Sequence, residues 1–261
     1  ATHLAKALKN SYVYTQQFSF LRKKMFGKEP RGTSFDQFVV FAQNHDQVGN
    51  RMLGDRLSAS LDFEGLKLAA ATYLLSPGVP MLFMGEEYGE RNPFQYFISH
   101  TDKQLVEAVR RGRKEEFSYF KWEGEVPDPQ SKKTFEQCML SWEVDSAIEA
   151  QTLFSYYQHL ISLRKTRAAI GGKSRDTLNI VSVDGNVICY DRKHDNDYIL
   201  LVLNFSKDAS LFKLPGGEKF KSIFNSASSR WRGPADDGPL IINGGEPFQI
   251  HPQSVTIFES K

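Results

Sequence analysis

Two continuous apolar runs, each followed at once by polar residues, are the feature that most constrains how this chain can fold. The runs are residues 38–42 and residues 79–84, and uninterrupted apolar runs of this length predict parallel strands buried on both faces. The segment 63–75 between them has helical spacing, with Asp62 at its N-cap and Pro77-Gly78 to stop it. Strand, helix and strand in this order predict a βαβ unit.

Polar side chains follow both runs. Residues 43–47 read Gln-Asn-His-Asp-Gln, and residues 85–90 read Gly-Glu-Glu-Tyr-Gly-Glu. In (β/α)₈ barrels and open α/β sheets, the active site lies at the carboxyl ends of the strands. A closed barrel of this type needs about eight parallel strands, whereas the sequence indicates two. We therefore predict an α/β fold that is the C-terminal portion of a (β/α)₈ TIM barrel, with a site at these two polar segments.

From Gly171-Gly172 onward the pattern changes to short alternating strands with turn residues between them. The predicted strands are residues 178–183, 187–192, 198–204, 220–224 and 255–259. This succession predicts a small all-β, sandwich-like domain. Before it lies an amphipathic segment containing Tyr156 and Leu160, which would be the closing helix of the barrel. The predicted domains are 1–170, the last part of the barrel, and 171–261, the C-terminal β domain.

Charge and hydropathy argue against two classes of partner. A formal net charge of +2, with 40% hydrophobic and 25% charged residues, is typical of a soluble globular protein. The densest basic run, residues 110–114, is followed by Glu115 and Glu116, which indicates a salt-bridged helix face rather than a nucleic-acid site. The most apolar stretch, residues 66–84, is interrupted by Lys67 and predicts no membrane span. We expect a cytoplasmic protein that binds neither nucleic acid nor membrane.

Cysteine and histidine spacing predicts no metal site. Cys138 and Cys189 are far apart in sequence and are expected to be reduced, buried thiols. The histidines outside the polar segments, including His159 and His251, are scattered without metal-ligand spacing. We expect neither a metal nor another cofactor.

The tripeptide Asn44-His45-Asp46 is the leading candidate for chemistry. An imidazole and a carboxylate at the end of a strand could grip sugar hydroxyls beside a developing positive charge. An Asx-turn that ends the strand would use the same residue types. Composition and spacing leave both readings open.

The sequence around this tripeptide resembles that of a known enzyme superfamily. Asn-His-Asp is similar to the motif that ends the seventh barrel strand of the α-amylase superfamily of glycoside hydrolases. Three blocks, in order, resemble those of one family within it, the malto-oligosyltrehalose trehalohydrolases: residues 38–51, residues 79–90, and residues 127–130 with the segments 134–136 and 141–142 beyond. The resemblance implies a hydrolase that cleaves the α-1,4 bond next to the terminal trehalose of maltooligosyl trehalose.

The resemblance also implies roles for individual residues. Asp46 would be the catalytic carboxylate that stabilises the transition state, and His45 would bind the same sugar. Asn44, Gln47 and Arg51 would contact the substrate, a maltooligosaccharide or α-glucan. Arg51 could instead form an ion pair with a nearby carboxylate.

Two glutamates and a group of aromatic residues could each have either a functional or a structural role. Glu87, with its neighbour Glu86, follows the second apolar run, where sugar binding and loop closure are both plausible roles. Phe94, Tyr96 and Phe97 occupy the loop beyond it. Aromatic rings there could stack on sugar faces, but packing in the core is the more frequent explanation.

The nucleophile and the acid/base residue of a retaining glycosidase match nothing in this chain. The resemblance places them at the ends of the fourth and fifth barrel strands, in an upstream remainder of the barrel, so the isolated chain is expected to be inactive. One alternative is an α-glucan branching enzyme, for which Ser-His-Asp-Glu rather than Asn-His-Asp-Gln would be expected at residues 44–47. The other is a non-catalytic carbohydrate-binding fragment.

Overall fold

The computed structural model of the chain describes residues 1–119, 125–145, 147–238 and 240–260. These residues form two compact units. The first, which we call the sheet unit, comprises residues 1–40, 63–81 and 155–261. The second, the loop unit, comprises residues 41–62 and 82–154. The domain boundary expected near residue 170 stays a prediction.

The chain alternates helices and strands before it ends in a β-rich region. The helices are α1 (Thr2–Asn10), α2 (His45–Gly49), α3 (Leu57–Ser60), α4 (Phe63–Leu74), α5 (Lys103–Tyr119), α6 (Lys132–Glu136), α7 (Ile148–Thr166) and α8 (Ala168–Gly171). Single 3₁₀ turns occur at Phe35–Gln37, Glu86–Tyr88, Arg175–Thr177 and Ser229–Trp231. The strands are β1 (Thr15–Ser19), β2 (Lys24–Gly27), β3 (Val39–Val40), β4 (Val79–Pro80), β5 (Leu178–Asp184), β6 (Val187–His194), β7 (Asp197–Asn204), β8 (Ser210–Lys213), β9 (Lys219–Asn225), β10 (Ile241–Asn243), β11 (Pro247–Ile250) and β12 (Ser254–Ser260).

The predicted βαβ unit is present. Strands β3 and β4 pair in parallel, and α4 connects them over almost the range expected from its spacing. Leu68, Ala71 and Leu74 of α4 are buried, as expected of a helix that is apolar on most of its surface. The Arg164 guanidinium on α7 donates hydrogen bonds to the carbonyl oxygens of Leu74 and Ser76. These bonds satisfy carbonyl groups that the end of α4 leaves without helical partners.

The two parallel strands are shorter and more exposed than predicted. Each has two paired residues instead of the whole apolar run, and Val39 and Val79 are 57% and 41% exposed. Burial on both faces was therefore the wrong expectation. The reason is that, among the described residues, β3 and β4 form a two-stranded sheet that no further strand extends into a closed barrel.

The β-rich region confirms the sandwich-like prediction. A six-stranded antiparallel sheet has the order β10-β9-β12-β7-β6-β5, and β11 pairs with β8 in a second sheet. Side chains from both sheets, including Leu200, Phe212, Phe248 and Phe258, share one buried core. The five predicted strands are all present, while β8, β10 and β11 were not predicted. Cys189 lies in this core, where burial raises the pKa of its thiol to about 12.

A buried lysine joins α4 to the β-rich region within the sheet unit. The Lys67 ammonium is fully buried and donates to the carbonyl oxygens of Ser226 and Trp231, at 2.8 and 2.9 Å. It also pairs with Glu64 of its own helix at 2.8 Å. The Tyr156 hydroxyl on α7 donates to the Lys67 carbonyl oxygen, so α7 is anchored at the same point. No helix within the described ranges is both long and apolar enough to span a membrane.

Candidate functional site

The tripeptide 44–46 begins a short helix in the loop unit. Asn44 has an extended backbone, and its side-chain oxygen accepts a hydrogen bond from the Gln47 backbone N–H at 2.9 Å, which makes it the N-cap of α2. Asn44 therefore has a structural role, because its side chain binds the local backbone. Its contact with substrate stays a prediction.

His45 and Asp46 lie side by side in the first turn of α2. Their side chains are 70% and 74% exposed, and His45 Nε2 lies 3.4 Å from Asp46 Oδ1. A polar contact this exposed contributes little to stability because water screens it. Both groups are accessible to a ligand from solvent, and neither caps the helix.

A cleft of about 170 Å³ opens beside these two side chains. One wall comes from α2 and the residue after it, with His45, Asp46, Gly49 and Asn50. The other wall comes from the segment 94–97 that follows the second polar cluster. The cleft thus combines a carboxylate, an imidazole and aromatic rings, which are groups suited to an uncharged polyhydroxylated ligand with an apolar face.

The aromatic wall contains two kinds of ring. Phe94 lies edge-on to Phe83 and to Phe97, with centroid distances of 5.4 and 5.9 Å, and Phe97 meets Phe135 at 5.2 Å. These contacts favour the packing interpretation for both phenylalanines. Tyr96 differs, since it is 42% exposed. It is the ring of this wall that a ligand could cover.

A glycine lets the two walls of the cleft approach each other. The Gly54 carbonyl oxygen accepts the Phe94 backbone N–H at 2.8 Å. Gly54 has a φ of +68°, and a Cβ atom there would lie 2.5 Å from the Phe94 carbonyl carbon. Both the backbone conformation and the close approach therefore require glycine.

Glu86 and Glu87 occupy different environments. Glu86 is buried and accepts a hydrogen bond from the Gln43 side chain at 3.2 Å, while Gln43 in turn accepts the Leu57 backbone N–H. Glu86 therefore has the structural role of closing the loop. Glu87 is half-buried, and the described residues provide no hydrogen bond or ion pair to its carboxylate. Its contact with a sugar stays a prediction.

Two of the remaining predicted residues lie on the exposed surface near α2. Arg51 approaches Asp55 at 3.7 Å, so the alternative of an ion pair has a partner in the structure. Gln47 is exposed. The structure brings His45 and Asp46 to the cleft, but Gln47, Arg51 and Glu87 are not among its lining residues. Metal binding has no cluster to support it, because no three His, Cys, Asp or Glu side chains gather within the described part of the chain.

Comparisons with known proteins identify relatives of the chain. No family model matches the chain. Over 162 residues the chain is 44% identical to a malto-oligosyltrehalose trehalohydrolase of Saccharolobus solfataricus, covering 62% of this chain and 27% of the relative. Over 196 residues it is 36% identical to the enzyme of the same name from Deinococcus radiodurans, covering 72% and 32%. The chain is therefore homologous to part of the malto-oligosyltrehalose trehalohydrolases.

A solved structure supports the same assignment. A Salmonella typhimurium protein assigned to the α-amylases is 31% identical and superposes with a TM-score of 0.79 over 98% of this chain and 40% of its own. The predicted fold class, part of an α-amylase-type TIM barrel followed by a β domain, is thereby confirmed. This chain spans about three tenths of the length of the two trehalohydrolases. The comparisons therefore relate the chain to part of a trehalohydrolase.

Sequence reasoning assigned no role to two buried charged residues that hold the loops of the loop unit. Arg56 is almost fully buried and donates to the carbonyl oxygens of Met84 and Asn92, both at 2.7 Å. The buried Glu90 carboxylate accepts hydrogen bonds from the backbone N–H groups of Asn92 and Ser141. Burial acts to raise the pKa of Glu90, but these hydrogen bonds outweigh it and hold the pKa below its ordinary value. Glu90 is the last residue of the polar segment 85–90, so its position could be predicted from the sequence, although its role could not.

Proposed function

We propose that this chain is part of an enzyme that hydrolyses the α-1,4 bond next to the terminal trehalose of maltooligosyl trehalose and releases trehalose. The observation that carries the proposal is the cleft shared by Asp46, His45 and an exposed aromatic ring, in a chain whose relatives bear the name of this activity. The substrate would be a maltooligosaccharide with a trehalose end. Water is the second reactant, and no cofactor takes part.

Asp46 is the residue with the clearest chemical role in this proposal. As the glycosidic bond breaks, the sugar ring flattens and becomes positively charged, so a nearby carboxylate interacts more strongly with the transition state than with the ground state. The exposed carboxylate of Asp46 at the cleft can approach such a ring, and His45, 3.4 Å away, can hydrogen-bond the same sugar.

The proposed reaction retains stereochemistry, with a nucleophile and an acid/base carboxylate roughly 5 to 5.5 Å apart. We assign neither role to a residue of this chain, and the resemblance places both in an upstream part of the barrel. The isolated chain is then expected to bind α-glucan without cleaving it.

The test is Asp46→Asn in the full-length enzyme, with Asp55→Asn as the matched control. Both changes remove one negative charge from the same unit, but Asp55 is half-buried and faces Arg51 instead of the cleft. Asp46→Asn is expected to lower kcat by about 10² to 10³ with little change in melting temperature, and Asp55→Asn to leave kcat nearly unchanged.

Product analysis completes the test. Chromatography of the wild-type products from maltooligosyl trehalose should show free trehalose. New α-1,6 linkages without free trehalose would instead indicate a branching enzyme. A normal kcat in Asp46→Asn would remove Asp46 from the catalytic set.

A further inference from the structure

A single guanidinium group, that of Arg113 on α5, connects the two walls of the cleft. Its side chain is only 11% exposed. One terminal nitrogen donates to the Gly49 carbonyl oxygen at 3.1 Å, and the other donates to the Asn50 side-chain oxygen at 3.2 Å and to Glu116 at 2.8 Å. Gly49 and Asn50 are both lining residues of the cleft.

The same guanidinium also holds the aromatic wall. Its central carbon lies 4.8 Å from the centroid of the Tyr96 ring and 4.6 Å from that of Phe117. A guanidinium over an aromatic face is attracted by the ring quadrupole, so Arg113 fixes the orientation of Tyr96 from one side. The ring remains 42% exposed.

The contacts continue from Arg113 to the proposed catalytic carboxylate. The Asn50 backbone N–H donates to the Asp46 carbonyl oxygen at 3.3 Å. A short helix of five residues gains little stability from its own hydrogen bonds, so the position of α2 depends on contacts such as those of Arg113. Displacement of Asn50 would therefore move Asp46.

We propose that Arg113 is a positioning residue, which holds Tyr96 as a stacking platform for a pyranose ring while keeping α2, and with it Asp46, in place. The inference rests on the proposed function, since it supplies the sugar-binding wall of the same site. Tyr96 would bind the apolar C–H face of a glucose unit of the α-glucan, in both the ground state and the transition state.

The proposal requires arginine and not merely a positive charge. The planar guanidinium can donate in two directions to α2 while lying flat against a ring, whereas the lysine ammonium is a compact charge that cannot do both. Arg110 on the same helix is a matched control, because its described partners are Asp128 and Glu107 and it takes no part in the cleft.

The kinetic test compares Arg113→Lys, Arg110→Lys and Tyr96→Ala in the full-length enzyme with maltooligosyl trehalose. Arg113→Lys is expected to lower kcat by about 10- to 100-fold, since small displacements of a reacting group cost this much, and to raise KM. Tyr96→Ala should raise KM with little change in kcat. Combined with Tyr96→Ala, Arg113→Lys should raise KM no further, because the two changes remove one shared contact. Arg110→Lys should leave both constants nearly unchanged.

Hydrogen exchange provides a readout that does not depend on the reaction. Backbone amides in residues 45–51 should exchange faster in Arg113→Lys than in Arg110→Lys, whereas amides in the β domain should be unaffected. Melting curves show whether each variant is folded, and Tyr96→Ala tests the platform should Arg113→Lys fail to fold.

The outcomes separate this inference from the proposed function. If Asp46→Asn lowers kcat but Arg113→Lys matches Arg110→Lys in kinetics and exchange, the positioning role is overturned and the proposed function stands. If trehalose is not released, the proposed function fails, and unchanged exchange in residues 45–51 would overturn the positioning role separately. An unchanged KM in Tyr96→Ala would remove the stacking platform.

Discussion

Replacing Lys67 with methionine should destabilise the chain far more than removing an exposed lysine that makes an ion pair of nearly the same length. Lys67 is fully buried and has three acceptors, namely Glu64 and the carbonyl oxygens of Ser226 and Trp231. Methionine keeps the apolar stem but provides no donor. Two buried carbonyl oxygens and one carboxylate would lose their cationic partner.

The magnitude follows from this environment. Removing one partner of a buried ion pair costs about 3–5 kcal/mol, and a hydrogen bond to a charged group contributes about 1.5–3 kcal/mol. The Glu64 side chain is 26% exposed, so water recovers part of its loss. We therefore expect a decrease of about 3 kcal/mol in the free energy of unfolding, which lowers the melting temperature by roughly 6–12 °C in a protein of this size.

The control is Lys132→Met, and the assay is urea unfolding followed by far-ultraviolet circular dichroism. Lys132 pairs with Glu136 at 2.9 Å, but its side chain is 85% exposed, so its loss should cost about 0.3–0.5 kcal/mol. A Lys67→Met variant as stable as Lys132→Met would refute the reasoning.

Two further perturbations test the loops around the cleft. Glu90 has a pKa below its ordinary value of 4.5, so its contribution to stability is present above that pH and is lost as the pH falls through the lower, folded-state pKa. Glu90→Gln should therefore be less stable than the wild type at pH 7, by about 1–3 kcal/mol. Denaturant unfolding at a series of acid pH values should show that the variant loses less stability than the wild type between about pH 5 and pH 3. Gly54→Ala should lower the melting temperature, because Gly54 has a positive φ and the added Cβ would lie 2.5 Å from Phe94. The control is Gly112→Ala, which should stabilise α5 slightly because nothing lies within 4 Å of the added Cβ. Equal melting temperatures in the two variants would contradict this account.

The sequence predicted the elements of the fold where the signal is local. The spacing of residues 63–75 marked α4, and alternation marked the five longer strands of the β-rich region. Strands β8, β10 and β11 have three or four residues each, too few for alternation to be distinguished from a loop. The runs at 38–42 and 79–84 were predicted to be buried throughout, but burial of a strand depends on its neighbours in the sheet, which the run itself does not encode.

The site was predictable only in part for the same reason. The polar segments after the two runs located His45 and Asp46, but the same residue types also fit a helix cap, and Asn44 is used in that way. The run 110–114 was interpreted as a salt-bridged face. That is correct for Arg113 and Glu116, which pair at 2.8 Å, and Arg110 pairs in the same way with Glu107. It is incomplete for Arg113, whose contacts with Gly49 and Asn50 span more than 60 residues of sequence.

Buried and half-buried cations that bind backbone carbonyl groups are difficult to predict from sequence. The pattern recurs in both units. In the loop unit, Arg56 donates to the carbonyl oxygens of Met84 and Asn92. In the sheet unit, Lys67 donates to the carbonyl oxygens of Ser226 and Trp231, Arg164 to those of Leu74 and Ser76, and Arg175 to those of Lys9 and Thr33. Most of these acceptors lie in loops or at the ends of helices, where the backbone lacks regular partners and still has to be satisfied when buried. A carbonyl oxygen is present in every residue, so the acceptor leaves no mark in the sequence. The donor alone is visible, and it cannot be distinguished from a solvated surface cation until the fold brings the loop to it.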